Sequence, residues 1–320
     1  MSGRTPVVVI GEALIDIVRS GQVDRRTVGG SPLNVAVAAA RLGCDVTLVT
    51  DFGDDDHGAQ IEAHLAHSEV EVMSARQNPT STAEAALQPD GSASYAFSLT
   101  WDFAASTARQ IVEAAGFVHA GSIALFLDPG AAYVAELIAA ASSSVISIDP
   151  NIRPALLGEH SRVLQHFERL ATEAHVVKLS NDDAVWLYPG LADDQVVDRI
   201  HTLGTPLVVL TRGNEGAQLS SRDARVQVLP IPTRVVDTIG AGDSFMGGLI
   251  HAMAHAHLTA RDLTAGLDAR TMQELGAHAA RVAAISVSRA GADPPTLADL
   301  EHHPNDSHAV DHQPRRKHSS

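Results

Sequence analysis

The second half of the chain alternates short apolar strands with alanine-rich helices, and this alternation constrains the fold more than any other feature. From residue 104 onward, we predict strands near residues 117–119, 145–148, 176–179 and 207–210, with helical stretches between them. Strands joined through helices run parallel in one sheet that carries helices on both faces. The pattern therefore predicts an α/β protein built on a doubly wound, mainly parallel sheet.

Polar clusters follow all four of these strands. A sheet of this kind binds ligands at the carboxyl ends of its strands. The clusters are His119–Gly121, Asp149–Arg153, Lys178–Asp183 and Thr211–Gly216. Local roles are an alternative, because Ser180 or Asn181 could cap a helix. Gly213 and Gly216 could likewise shape a hairpin turn. Turn formation alone does not require polar clusters after four consecutive strands. We therefore predict a binding site along this edge.

A glycine-rich turn at residues 237–245 has the features of an anion site. Gly240, Ala241 and Gly242 carry no bulky side chain, and the apolar spacing after them predicts the start of a helix. Unpaired amides and the helix dipole favour a phosphate at such a start. Asp243 then lies where it could orient an alcohol or take its proton. A tight loop ending in a helix cap is the alternative.

Two further glycines stand inside the helix that this turn begins. Gly247 and Gly248 each cost about 1 kcal/mol relative to alanine in a helix interior. We expect a close approach of backbone or ligand at these two positions.

A second glycine-rich turn lies near the N-terminus. We expect Ser31 to cap the helix that follows Gly29 and Gly30. Asn34 then lies in the first helical turn, where its amide can both donate and accept hydrogen bonds. Together with Asp16, at the end of an alternating segment, these residues suit a polyhydroxylated ligand. A solvent-facing Asp16 and an ordinary strand-to-helix turn are the alternatives.

Between these two turns, residues 70–103 change to short alternating segments that resemble hairpin strands. The segments are 70–73, 82–87 and 93–99, separated by turn sequences. We expect a small antiparallel sheet that acts as a lid over a ligand or as an edge for dimer contacts. Trp101 and Phe103 could touch the ligand or anchor the lid to the main sheet.

Composition narrows the class of protein. Apolar residues make up 45% of the 320 residues and charged residues 19%, as in a globular protein. The net charge of −15, with no basic stripe, argues against nucleic acid as a partner. Neither a membrane-length apolar run nor a signal-peptide core is present, so we expect no membrane partner and a cytoplasmic location. One domain over residues 1–300 and a disordered tail at 301–320 are expected.

With these residues in view, the chain resembles the ribokinase-like, or PfkB-type, carbohydrate kinases over about residues 6–300. Residues 29–36 are similar to the family's N-terminal sugar-binding signature, and residues 237–245 are similar to its C-terminal signature. The resemblance implies a ribokinase-like doubly wound sheet flanked by helices, with a small β-sheet lid formed by about residues 12–20 and 70–103. It also implies an ATP-dependent sugar kinase, with ATP and Mg²⁺ as cofactors.

The resemblance assigns roles to individual residues. Asp243 is the implied catalytic base, with the amides of Gly240, Ala241 and Gly242 as the anion hole. The implied sugar-binding residues are Asp16, Gly29, Gly30, Asn34 and Arg153, and the implied nucleotide-binding residues are Lys178, Thr211, Gly213 and Gly216. Asp149, Asn151 and Arg153 match a pattern of fructokinase-like and sugar-acid kinase members.

Two carboxylates are implied to contact metal ions. Asp183 stands where the family often has a glutamate, so it is expected to reach magnesium through water despite its shorter side chain. Asp237 is the expected carboxylate beside a potassium ion.

The identity of the acceptor stays open in the sequence. Fructose is the expected acceptor; another sugar, a sugar acid such as 2-keto-3-deoxygluconate, a nucleoside, and a non-catalytic sugar sensor are the alternatives. A homodimer formed through the lid is also expected.

Overall fold

The strands of the chain form two sheets of different size. The computed structural model describes residues 5–20, 23–76, 78–87, 93–103 and 105–302. In chain order, the described strands are β1 (Pro6–Ile10), β2 (Leu14–Ser20), β3 (Val23–Gly29), β4 (Asp45–Thr50), β5 (Glu71–Ser74), β6 (Ser81–Leu87), β7 (Ala93–Ser98), β8 (Phe117–Gly121), β9 (Val145–Asp149), β10 (Val176–Ser180), β11 (Leu207–Thr211), β12 (Ala217–Ser220) and β13 (Arg225–Val228). The main sheet has the order β13-β12-β11-β10-β9-β8-β1-β4-β5, and the small sheet has the order β3-β2-β6-β7.

The main sheet confirms the predicted parallel architecture. Its pairs from β5 through β11 are parallel, and β12 and β13 extend it as antiparallel edge strands. The four predicted strands in the second half of the chain are β8, β9, β10 and β11. Because parallel neighbours end at the same side, their polar clusters lie along one edge of the sheet.

Helices cover both faces of the main sheet. In chain order, they are α1 (Ser31–Arg41), α2 (Asp56–His67), α3 (Ala105–Ala114), α4 (Gly130–Ala140), α5 (His160–Glu173), α6 (Asn181–Leu187), α7 (Asp193–Leu203), α8 (Ala241–His255), α9 (Ala260–Ala265), α10 (Ala269–Val287) and α11 (Leu297–His302). Alternate residues of β1 show the two layers: Val8 and Ile10 pack with the apolar faces of α3, α4 and α5, whereas Val7 and Val9 pack with α1, α8 and α10. A strand buried on both faces reads as a continuous apolar run, as β1 does.

The small sheet corresponds to the predicted lid, with two corrections. An antiparallel sheet was expected, but β2 pairs with β6 in parallel, so the sheet is mixed. Residues 70–73 were expected in the lid, but β5 pairs in parallel with β4 at the edge of the main sheet. The strand β3, which we did not predict, pairs with β2 instead and carries the chain into the turn at Gly29 and Gly30. Alternating apolar and polar residues predict a strand, but they do not show with which strand it pairs. The sheet that contains β5 is therefore known only from the structure.

Close helix packing accounts for the two glycines inside α8. A Cβ atom at position 247 would lie 2.5 Å from the Cβ of Ala38 on α1, and one at position 248 would lie 2.9 Å from the side chain of Val282 on α10. Both distances are shorter than any real contact of a Cβ. The close approach predicted at Gly247 and Gly248 is therefore one of helix to helix, and it holds the start of α8 against the start of α1.

Trp101 anchors the end of the lid segment to the main sheet. Its side chain is buried, and its Nε1 donates a hydrogen bond to the carbonyl of Ala124 at 3.1 Å. Phe103 packs against it with ring centroids 4.8 Å apart. Of the two roles considered for these aromatic residues, the structure supports anchoring.

The last described helix, α11, extends into the segment predicted as a disordered tail, because Glu301 and His302 are helical. Leu300 on α11 is buried against Leu42, Val282 and Ile285, so this short helix covers the apolar ends of α1 and α10. Residues 303–320 of the predicted tail lie outside the described residues. Across the described helices, none is long and apolar enough to cross a bilayer.

Candidate active site

Asp243 lies in the first turn of α8 and contacts two residues of α1. Its Oδ1 accepts a hydrogen bond from Ser31 Oγ at 2.7 Å, and its Oδ2 accepts one from Asn34 Nδ2 at 2.8 Å. The cap of α8 is Gly240, with φ of 73°, so Asp243 is not the helix cap of the alternative interpretation. The two glycine-rich turns, more than 200 residues apart in sequence, therefore meet at this carboxylate.

The prediction for Ser31 was wrong. Gly30, with φ of 111°, occupies the cap position of α1, and no side chain caps this helix. Ser31 is the first helical residue, which leaves its hydroxyl free to point across to α8. A serine before an apolar helical run is read locally as a cap, and only the packing of α1 on α8 gives it a distant acceptor.

Burial shapes the acid–base character of Asp243. Removal from water raises the pKa of the Asp243 carboxyl, while the hydrogen bonds from Ser31 and Asn34 and the positive charge of Lys178 act in the opposite direction. A carboxylate with a raised pKa is a stronger base than one in water. The site thus has a buried carboxylate held in a fixed orientation by two neutral donors.

A buried ion pair lies beneath the anion turn. Lys178 Nζ is 2.5 Å from Asp149 Oδ2, and both side chains are almost fully buried. Burial alone would lower the pKa of Lys178, but the adjacent Asp149 carboxylate outweighs it and raises that pKa above its usual value. A Cβ atom at position 242 would lie 3.3 Å from this ammonium. The turn at Gly242 therefore has a permanent positive charge beside it.

The amides of the anion turn are only partly committed to local bonds. The Ala241 amide donates to the Thr238 carbonyl at 3.2 Å, and the Ser244 amide donates to the Gly240 carbonyl at 2.8 Å. The amides of Gly242 and Asp243 belong to the first turn of α8, which has no preceding turn to accept them. Amides at a helix start, together with the Lys178 charge, are suited to hold an anion.

A cavity of about 570 Å³ adjoins the anion turn. Its lining includes Thr211, Gly213 and Gly216 on one side and Ala241 and Gly242 at the turn, so the structure brings these sequence-predicted residues together. The segment 230–235 and the last turns of α10 add mainly apolar walls. The volume is in the range of a small-molecule site. Lys178, which was also predicted to bind the nucleotide, is not part of this lining.

Gly216 shapes one wall of this cavity. Its φ is 89°, and a Cβ atom there would lie 2.1 Å from the carbonyl oxygen of Val228. Gly213, with φ of 51°, begins the tight turn that leads from β11 to β12. The hairpin role considered for these glycines is therefore present, and it forms the cavity wall at the same time.

Two of the predicted sugar-binding residues, Asp16 and Gly29, lie next to each other on β2 and β3 of the small sheet. A Cβ atom at position 29 would lie 2.2 Å from Oδ2 of Asp16, so the glycine leaves room for this carboxylate. Burial raises the pKa of Asp16, and the positive charge of Arg153 opposes that shift. Arg153 is exposed and donates to the Ile152 carbonyl at 3.0 Å. Its charge therefore reaches the lid strand that carries Asp16.

Asp183 is engaged in local hydrogen bonds. Its Oδ2 accepts from the amide and the hydroxyl of Ser180 at 2.8 and 2.7 Å, and its Oδ1 accepts from the Ile152 amide at 2.7 Å. Ser180 in turn caps α6, as the capping interpretation predicted. Asp183 also lines a second cavity, which shares no lining residue with the cavity at the anion turn.

Asp237 has two backbone donors. Its Oδ1 accepts from the Ile239 amide at 3.0 Å, and its Oδ2 accepts from the Gly291 amide at 2.9 Å. These hydrogen bonds lower the pKa of the Asp237 carboxyl, which keeps it charged. Within the part of the chain that the structure describes, no group of three or more ligating side chains has the arrangement of a metal site.

Sequence reasoning missed two residues at this site. Ser31 was assigned a capping role, and Glu12 was read only as part of an alternating strand. Glu12 is buried near the turn at Gly30, and burial raises the pKa of its carboxyl to about 7. An acidic residue directly after the buried strand β1 was the available signal, because that position is the carboxyl end of a central strand.

Comparison with known proteins supports the same assignment. The model of the pfkB family carbohydrate kinases matches residues 4–299. A fructokinase of Rhizobium leguminosarum bv. trifolii is 32% identical over 285 residues, which cover 83% of this chain and 85% of the relative. Probable fructokinase-7 of Arabidopsis thaliana is 29% identical over 317 residues, with coverage of 91% and 89%.

Solved structures agree in fold. Fructokinase of Xylella fastidiosa with bound ATP has a TM-score of 0.84 at 26% identity, over 92% of this chain and 97% of that one. Fructokinase of Vibrio cholerae with fructose, ADP and calcium has a TM-score of 0.77 at 25% identity, over 93% and 98%.

The family match, the relatives and the solved structures identify the protein as an ATP-dependent phosphotransferase that acts on sugars. The chain belongs to the pfkB family of carbohydrate kinases.

Proposed function

We propose that this kinase transfers the terminal phosphoryl group of ATP to a primary hydroxyl of fructose. The observation that supports the proposal is that Asp243 accepts hydrogen bonds from Ser31 and Asn34 and directly follows Gly242, which lines the cavity. Relatives and solved structures named as fructokinases support the choice of acceptor.

In the proposed mechanism, Asp243 orients the acceptor hydroxyl and takes its proton as the new phosphate ester forms. The reaction needs an in-line arrangement of the attacking and leaving oxygens, which binding in two adjoining pockets can supply. Negative charge on the transferring group is stabilised by the amides of the anion turn and by the buried ammonium of Lys178. Closure of the lid over the sugar excludes water, which would otherwise compete for the phosphoryl group.

Magnesium and potassium belong to the proposal as cofactors. Magnesium neutralises charge on the triphosphate when bound, and it commonly keeps most of its ligands as phosphates and water. The saturated carboxylate of Asp183 suits only an indirect contact through water. Asp237, which stays charged, is the carboxylate that we assign to a potassium ion beside the anion turn.

One observation favours a second acceptor class. Arg153 is an exposed cation whose field reaches Asp16 at the sugar side. A carboxylate-bearing acceptor such as 2-keto-3-deoxygluconate would pair with this guanidinium. We therefore keep a sugar acid as the second candidate.

The deciding experiment measures ADP release with magnesium-ATP and a panel of acceptors, with and without potassium. The panel contains fructose, other hexoses and pentoses, 2-keto-3-deoxygluconate and nucleosides. We expect the highest kcat/KM with fructose. A higher value with the sugar acid would replace the proposed acceptor, and no ADP release with any acceptor, despite measurable sugar binding, would favour a sensor.

Two coarser proposals accompany the reaction. We propose a homodimer formed through the exposed face of the lid, which light scattering of the wild type and of a lid-face variant would test. We propose a cytoplasmic location because ATP, the donor, is a solute of the cell interior; cell fractionation would test it.

A further inference from the structure

Glu12 is a buried carboxyl group that the proposed reaction does not use. It follows β1 directly, at the carboxyl edge of the main sheet, and is 4% exposed. The backbone carbonyl oxygen of Glu12 lies 2.5 Å from the position that a Cβ atom at residue 30 would occupy. At position 11, a Cβ would lie 2.2 Å from the ring of Pro32. The segment at Glu12 therefore lies directly against the turn that presents Gly30 and Ser31.

The carboxylate of Glu12 holds a second element. Its Oε2 accepts a hydrogen bond from the Ala124 amide at 3.2 Å, and the Ser122 side chain also bonds to it. Ser122 has φ of 61°, a left-handed conformation that costs a non-glycine residue about 1–3 kcal/mol and that its surroundings must maintain. Glu12 thus contributes to holding the short 3₁₀ turn after β8 in an unfavourable backbone conformation.

The same turn anchors the lid. The Ala124 carbonyl accepts a hydrogen bond from Trp101 Nε1, and the Ala124 amide donates one to the Glu12 carboxylate. Glu12 therefore borders the sugar-side turn at Gly30 through its backbone and holds the place where the chain returns from the lid through its side chain. A change in the Glu12 carboxyl would alter the second contact directly and act on the turn at Gly30 through the Glu12 backbone.

The charge environment of Glu12 links it to the catalytic carboxylate. Burial is the main cause that raises the pKa of Glu12 to about 7; the hydrogen bonds from its own amide, Ser122 and Ala124 oppose it, and the Asp243 carboxylate adds to it. Asp243 on α8 is the titratable group whose charge acts on it. The turn before α1 presents Gly30, Ser31 and Pro32 to this region, and none of these titrates. The Asp243 charge is the smallest of these contributions, so burial governs the pKa of Glu12.

We propose that Glu12 is a positioning residue that holds the sugar-side turn and the lid-anchoring turn in register with Asp243. This assignment rests on the proposed function in one respect, namely that the acceptor binds at Gly30 and Asn34. It predicts that Glu12 affects acceptor binding and the pH dependence of turnover, and leaves ATP binding unchanged.

The first test compares Glu12→Ala with Glu12→Gln. Glu12→Ala removes the acceptor of the Ala124 amide, so we expect the KM for the acceptor to rise about 10-fold or more, with the KM for ATP within 2-fold of wild type. Glu12→Gln keeps an oxygen acceptor and should restore the acceptor KM to within about 3-fold. Ser144→Ala is the matched control, because it removes a buried hydrogen bond to the Ala115 carbonyl at the opposite edge of the same sheet.

The second test uses pH and does not depend on the first variant folding. Glu12→Gln cannot ionise, so the inflection of log(kcat/KM) near pH 7 that we expect in the wild type should be absent. Thermal unfolding gives a measure independent of turnover. The pKa of Glu12 is about 7 in the folded state and near 4.5 in the unfolded state. Its contribution to folding stability is therefore fully present below pH 4.5 and is lost as the pH rises through 7. The wild type should therefore lose stability across this window relative to Glu12→Gln.

The outcomes separate this assignment from the proposed function. Wild-type inactivity with fructose would refute the acceptor, and the same comparisons would then use the best acceptor of the panel. Equal acceptor KM values in all variants, or pH profiles of Glu12→Gln and wild type that superimpose, would overturn the role of Glu12. Loss of acceptor affinity in Ser144→Ala to the same extent would overturn it as well, because the effect would then be general destabilisation.

Discussion

The two sides of the site use different physical means. The described residues that line the cavity, which we propose as the nucleotide side, are uncharged, and glycines with positive φ shape one wall. The sugar side instead gathers three carboxyl groups, Glu12, Asp16 and Asp243, and burial raises the pKa of each. In a protein with a net charge of −15, a nucleotide pocket without side-chain charges avoids repelling a polyanion. Shape thus dominates one side, and tuned charge dominates the other.

This contrast makes the sugar side sensitive to small chemical changes and the nucleotide side sensitive to small steric ones. A buried carboxyl responds to the loss of one hydrogen bond because no water replaces it. A glycine wall responds to one added methyl group because no space remains. Four substitutions test the contrast, in order of decreasing expected effect.

The largest effect is expected for Asp243→Asn. The amide cannot take a proton, so kcat should fall by about 10²–10⁴-fold, the usual contribution of a general base, with the Kd values for sugar and ATP within a few-fold of wild type. Steady-state kinetics and calorimetric binding measure both. Asp56→Asn, which changes an exposed first-turn acid of α2, is the control and should retain activity. Near-normal turnover of Asp243→Asn would remove the central claim.

Lys178→Met tests the charge beneath the anion turn. It leaves Asp149 buried without its partner, so we expect the free energy of unfolding to fall by about 3–5 kcal/mol. Denaturant titration measures this loss, and Lys178→Met/Asp149→Leu should recover most of it. Arg270→Met, which breaks an exposed pair with Glu274, should change the stability by less than about 1 kcal/mol. An equally small loss in Lys178→Met would contradict the buried pair.

Gly216→Ala tests the nucleotide wall. Its Cβ would meet the Val228 carbonyl at 2.1 Å, so the wall must move, and we expect the KM for ATP to rise about 10-fold or more while the acceptor KM stays unchanged. Gly190→Ala is matched, since Gly190 also has positive φ but open space around it. Both variants should lose about 1–2 kcal/mol of stability from backbone strain. A rise of the ATP KM in both would mean that strain alone is responsible.

Ser31→Ala should have the smallest effect, confined to the sugar side. The Ser31 hydroxyl stabilises the ionised form of Asp243 and so lowers its pKa. Without it, the pKa rises and the acid limb of the kcat/KM profile moves to higher pH, with a cost of about 1 kcal/mol, or several-fold in rate at neutral pH. Ser286→Ala removes a hydrogen bond between Ser286 on α10 and Ser244, which lies on α8 next to Asp243. This variant should leave the acid limb of the kcat/KM profile in place. An unshifted limb in Ser31→Ala would weaken the assignment of the base.

The contrast also explains how far the sequence alone reached. Gly213 and Gly216 were predicted as nucleotide-binding residues and residues 240–242 as an anion hole, because glycine requirements are local. The structure brings Gly213, Gly216 and Gly242 to one cavity, and their roles stay predictions. The prediction of close packing at Gly247 and Gly248 is confirmed. Their partners, Ala38 and Val282, lie on helices that are distant in sequence.

Errors arose where a residue acts across the fold. Ser31 has the sequence context of a cap, and its real acceptor is a carboxylate 212 residues away. Glu12 was missed because its burial and its contact with Ala124 exist only after β1 and β8 pair. The strand β5 was assigned to the wrong sheet for the same reason. The alternation of apolar and polar residues predicts a strand but not its pairing partner. Local sequence patterns therefore predict the glycine-shaped turns, whereas long-range contacts determine the environment of the buried carboxyl groups.

The contact between Gly247 and Ala38 has a consequence for how acceptor preference can change. It joins α1 and α8 so closely that Asn34, Ser31 and Asp243 form a single rigid unit, whereas Asp16 arrives on a separate sheet. Under the proposed mechanism, substitutions in the lid alter which hydroxyl is presented without displacing Asp243, the proposed base. A chain built in this way can diversify its substrates during evolution while its chemistry stays constant.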